Sequence, residues 1–103
     1  MAKKQFAFML MGAHFVPSVH SAHFDTADMH TCIVTVRSLE EACEAAARLY
    51  RQGVRALELC GAFGEAGARK ITACVGDDMA VGFVTHLPEQ DARFDAFFGG
   101  REA

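Results

Sequence analysis

Two short runs rich in β-branched and aliphatic residues, Thr31–Val36 (TCIVTV) and Val54–Leu59 (VRALEL), flank a segment with the marks of a helix. Ser38-Leu39-Glu40-Glu41 has the spacing of a capping box. The Ser38 hydroxyl can accept from a free first-turn amide while Glu41 reaches back to the cap. Leu39, Ala42, Ala46 and Leu49 then fall on one helical face, and Gly53 supplies the stop. A strand, a helix and a strand in this order favour a right-handed crossover, which lays the two strands parallel in one sheet.

The rest of the chain extends that unit. Gln5–Met11 is nearly continuous apolar sequence bounded by Gly12, as expected of a strand covered on both faces. With two lysines before it, the start has the outline of a leader peptide, but the apolar run is shorter than such segments need and Gly12-Ala13-His14 follows at once, so a strand is expected. Ala13–Met29 is mixed, with Pro17 placed to open a short helix through about Phe24. Glu65–Val75 carries Ala68, Ile71 and Val75 at helical spacing, with Gly76 as its end, and Met79–Thr85 reads as a further strand. Pro88 opens a last helix with Glu89 and Asp91 near its positive end and Phe94, Phe97 and Phe98 on its apolar face.

This alternation predicts a single α/β domain over residues 1–103, with a four-stranded, mostly parallel sheet and flanking helices, flavodoxin-like or half-barrel-like. The alternative is a ferredoxin-like α+β sandwich. It needs two strands joined directly, which only Ala13–Met29 allows.

Composition bounds the function. The 103 residues carry a net charge of -3 and no basic cluster beyond Lys3-Lys4, so no nucleic-acid partner is expected. No run approaches a membrane span. Half the residues are hydrophobic (51%), which for a small domain points to a homo-oligomer, with the three phenylalanines at its contact. Cys32, Cys43, Cys60 and Cys74 contain no CxxC pair and read as reduced, mostly buried thiols of a cytoplasmic protein. His20 and His23, with His14 or His30 as a third, lack the tight ligand spacing of a metal site, and no metal or other cofactor is expected.

In a parallel sheet the strand ends share one rim, where ligands usually bind. That rim gathers His14, Arg37, Glu58, Cys60 and His86, together with the turn Gly61-Ala62-Phe63-Gly64. Glu58 stands out as the one carboxylate in an apolar strand. Buried there, it is either a general acid/base with a tuned pKa, working with His86 or His14, or an ion pair with Arg37 or Arg55. Cys60 precedes a helix N-terminus that would activate a thiol. Arg37, Cys60, Gly61, Phe63 and Gly64 are the expected ligand contacts, the turn offering backbone amides to an anion. The expected function is acid/base catalysis of the isomerase or lyase type on a small anionic metabolite. The alternative is a non-catalytic oligomeric module that binds a ligand or regulates.

Two resemblances accompany these residues. FAFMLMG, ELCGAFGE and VGFVTHLPEQD, which span nearly the whole chain, resemble a family of small uncharacterised bacterial proteins, a domain of unknown function that implies no activity. Locally, GVRALELCGAFGEAGARKI followed by AVGFVTHLPEQ is similar to one strand-helix-strand unit of the keto-deoxy-phosphogluconate aldolase barrels. That likeness implies a proton-transfer glutamate at Glu58. The chain is too short to close an eight-stranded barrel, so what the likeness lends is the logic of a glutamate at a strand end.

Overall fold

The computed structural model describes residues 3–99. The elements are β1 (Lys4–Met11), β2 (Ala22–Asp25), β3 (Met29–Val36), α1 (Leu39–Gln52), β4 (Ala56–Leu59), α2 (Gly64–Thr72), β5 (Ala80–Phe83), a 3-10 turn (Pro88–Gln90) and α3 (Asp91–Phe98). The sheet has the order β2-β3-β1-β4-β5. β3, β1, β4 and β5 are parallel, as the crossovers require, and only β2 runs antiparallel, against β3.

The sheet thus has five strands rather than four, and the extra one replaces the helix expected from Pro17 to Phe24. In Ala22–Asp25 the side chains alternate, Ala22 and Phe24 to one face and His23 and Asp25 to the other, which is a strand's period. A short hairpin joins it to β3: the Thr26 amide donates to the Met29 carbonyl at 3.0 Å, and the Thr26 hydroxyl donates to the same oxygen. The connecting Ala27-Asp28 lacks the Asn-Gly or Asp-Gly signal of a two-residue hairpin, which hid the turn.

α1 is built as its sequence dictates. Ser38 Oγ accepts from the Glu41 amide at 3.1 Å. Glu41 reaches back one residue further than a capping box asks, to the Arg37 amide at 2.8 Å, and grips the Arg37 guanidinium as well. Gly53 closes the helix at φ 108°, where its amide meets the Leu49 and Tyr50 carbonyls. A residue with a Cβ is strained in that conformation. α2 ends at Thr72, short of the expected Val75, and Gly76 has a packing role rather than a stop: a Cβ there would lie 2.2 Å from the Tyr50 hydroxyl.

α1 and α2 pack on each other and on one face of the sheet, α1 over β1 and β3 and α2 over β5. The core lies between the layers: Ala7, Met9, Cys32, Leu57 and Leu59 from the strands, and Ala42, Ala46, Leu49 and Ile71 from the helices. No helix among the described residues packs on the opposite face, which is covered only at its end, where the buried Thr35 hydroxyl donates to the His20 carbonyl at 2.8 Å. The register rows of that face are Ala22, Ile33, Phe8, Glu58, Gly82 and Phe24, Thr31, Phe6, Ala56, Ala80. α3 packs on the 3-10 turn before it rather than on the sheet.

The expectation of four reduced thiols fails for one pair. Because α1 and α2 lie side by side, Cys43 and Cys74 come within 5.8 Å between Cα atoms and form a disulfide. Cys32 stays a free buried thiol, its pKa pushed up by that burial, and Cys60 is free and half-buried. No helix among the described residues is long and apolar enough to cross a membrane.

Candidate functional site

The shared rim exists, but it does not assemble the expected acid/base group. Glu58 is exposed, not buried. It occupies the uncovered face of β4, where its carboxylate lies over Gly82 of β5; a Cβ at Gly82 would sit 2.8 Å from Glu58 Oε1. Neither expected cation holds it. Arg37 is engaged by Glu41, and Arg55 bonds Asp78 and lies over the Tyr50 ring. His86 turns instead to Asp91 at 2.6 Å and stacks on Phe94. His14 lies against Phe15 and folds back over Gly12. Among the described residues, no hydrogen bond or ion pair joins Glu58 to any group.

The other rim residues divide between structure and exposure. Cys60 Sγ accepts from the Met11 amide at 3.4 Å, tying β4's end to β1's. Phe63, expected to touch a ligand, is 6% exposed and packs in the core beside Gly67 and Leu39. Gly61 and Gly64 are exposed, and Gly64 adopts φ 64°. No side chain caps α2.

A different place gathers polar groups around a cavity. Beside α1, along the half of the sheet that carries β2 and β3, lies a groove of about 220 Å³. Its polar lining includes His23, His30, Arg48 and Gln52, and its apolar floor includes Leu49 and Val54; no Asp or Glu lines it. His23 and His30 stack, with ring nitrogens 3.3 Å apart. They share the helix-covered face because His23 sits opposite Cys32 in the hairpin register, one pleat from His30. Arg48 is exposed at the groove and makes no hydrogen bond or ion pair among the described residues. Sequence reading missed this site because it depends on β2. With residues 17 to 24 read as a helix, His23 pairs with His20 on a helical face, and His30 enters only as one option, beside His14, for a third group. His20 is occupied elsewhere, its Nδ1 accepting from the Val16 amide at 2.9 Å. Among the described residues no group of three His, Cys, Asp or Glu side chains is arranged to hold a metal.

Asp25 flanks the groove. The Lys3 ammonium, hydrogen-bonded to it and then acting as a charge, holds its carboxyl below the usual range, with His30 adding to the effect. Glu41 is lowered by the Arg37 guanidinium and by the Arg37 amide, and Asp78 by the Tyr50 hydroxyl and further by Arg55. A carboxyl lowered in the folded state contributes stability above its unfolded pKa and loses it as pH falls through the folded value. Thermal melts should therefore move little between pH 7 and 5 on account of these three groups and fall below about pH 4. Lys3→Met should remove part of that acid limb. A melt profile that Lys3→Met leaves unchanged down to pH 2 would remove Asp25 from the account.

The architecture is that of a small two-layer α/β protein with an open, mostly parallel sheet. The chain belongs to the family of unknown function DUF6506, whose model matches residues 4–99. No curated protein and no solved structure matches the chain, and the local likeness to the aldolase barrels gains no support.

Proposed function

We propose that this protein is a non-catalytic binding module that holds a small anion, a phosphate or a short carboxylate, in the groove beside α1. The observation that carries this reading is the groove's lining: an arginine without a partner among the described residues and two stacked imidazoles around about 220 Å³, with the flanking Asp25, 3.7 Å from His30, already held by the Lys3 ammonium. Arginine's fork of donors suits carboxylate and phosphate oxygens. The volume is below the roughly 300–1,000 Å³ of sites for larger ligands, which fits a few heavy atoms. Acid/base catalysis at the rim has less support, because Glu58, His86 and His14 each face different neighbours.

The module acts as a homo-oligomer in this reading, and the proposal places it in the cytoplasm. In this reading the Cys43–Cys74 bridge of the structure closes only outside the reducing cytoplasm, so alkylation in intact cells should find both thiols free; finding them bridged there would move the protein to an oxidising compartment.

The binding test is a titration of the histidine ring signals with inorganic phosphate and with succinate. The His23 and His30 signals should shift and saturate. Arg48→Met should weaken binding at least about tenfold, the cost of one charge-assisted contact. Equal affinity in Arg48→Met, or no shift up to about 10 mM of either anion, sinks the reading.

A further inference from the structure

The uncovered sheet face and the detached α3 are complementary surfaces that do not meet within one chain. On the sheet, Phe6, Phe8, Leu10, Ile33 and Phe24 form an apolar field with Glu58 as its one carboxylate on β4. None of the five is buried, and Phe24 is exposed. On α3, Phe97 is 81% exposed, Phe98 60% and Phe94 39%. With Arg93 they line an open hollow of about 310 Å³. The radius of gyration is 14.4 Å, above the roughly 13 Å of a compact chain of this length, and the long axis is 46 Å against 27 and 25 Å.

From this we infer that two copies of the chain pair through a two-fold axis, the α3 of each lying across the uncovered sheet face of the other, with Arg93 of one copy against Glu58 of its mate. Area and charge argue for a second copy as the occupant. The three phenylalanines together expose close to the area of two whole side chains, about 300–500 Å². Each helix also covers a matching patch of sheet, and the two-fold doubles both, which brings the buried total to about 1,200–2,000 Å². A stable specific interface needs about that much. Glu58 and Arg93 are opposite charges without partners among the described residues, each set among apolar neighbours, and such a pair fixes register as well as attraction. The arrangement leaves the groove beside α1 free, since that groove lies on the sheet's other face, so this inference stands apart from the anion-binding reading.

Sedimentation velocity at tens of micromolar should show a dimer. Phe97→Asp should give a monomer with an unchanged far-ultraviolet spectrum, because the Phe97 side chain is 81% exposed, whereas the contact of α3 with its own chain through His86 runs by Asp91 and Phe94. Arg93→Glu and Glu58→Arg should each weaken dimerisation at least tenfold, and the double exchange should restore it to within about threefold of the parent. Both charge variants change exposed side chains, so the test holds even if Phe97→Asp fails to fold. A monomeric parent overturns the inference, including one in which α3 folds onto its own sheet. So does a dimer that Phe97→Asp leaves intact, or a double exchange that restores nothing.

Discussion

Reducing the Cys43–Cys74 bridge should lower the stability of this protein by about 3–4 kcal/mol, the loop-closure value for a span of this length. The two cysteines are 31 residues apart, and the loop they close holds most of α1 and all of β4 and α2. Once the bridge is open, the unfolded chain regains the freedom of that loop, while the folded chain keeps the contact between α1 and α2. The loss therefore falls on the unfolded side of the balance. In a domain of about 100 residues each kcal/mol moves the melting temperature by about 4–8 °C, so reductant should lower it by about 12–30 °C. Cys43→Ser with Cys74→Ser should match the reduced parent and be insensitive to reductant. A parent that melts at the same temperature with and without reductant would show that the bridge contributes nothing to the folded state.

The same bridge shows where sequence reading stopped. Two widely spaced cysteines carry no sign of pairing, and only the packing of α1 beside α2 brings them together. α1 itself was legible to its last residue because its signals are local: Ser38 caps it, Gly53 closes it in the left-handed conformation, and the alanines between define a face. The parallel direction of β3, β1, β4 and β5 followed from alternation of the elements, while their order across the sheet did not. β2 was not legible, since a four-residue strand of Ala-His-Phe-Asp has little strand propensity of its own and exists by pairing with β3. The candidate groove went with it. Glu58 illustrates the opposite error. Alternation placed it correctly with Ala56 and Cys60, but which face the helices cover is a tertiary choice, and they cover the other one.

That choice of face sets the second large effect. Leu59→Ala should cost about 2–5 kcal/mol, the range for removing a fully buried leucine. Leu59 is fully buried, in a row with Met9 of β1 and Phe83 of β5 beneath the helical layer. The adjacent residue gives the control. Glu58 points the opposite way, is exposed and has no partner to lose among the described residues of its own chain, so at a dilution where the chain is monomeric Glu58→Gln should stay within about 0.5 kcal/mol. Ile71→Val, which trims one methyl from the α2 side of the same core, should fall between them at about 0.5–1.5 kcal/mol. Urea titrations of the three variants should give parallel transitions with shifted midpoints, since none changes the surface exposed on unfolding by much. If β4 were slipped by one residue, every side chain would change face and the order would invert, Glu58→Gln becoming the costly exchange and Leu59→Ala the mild one. The pair of neighbouring substitutions therefore reads the register of β4 directly, and with it the face on which α3 of a second copy has room to dock.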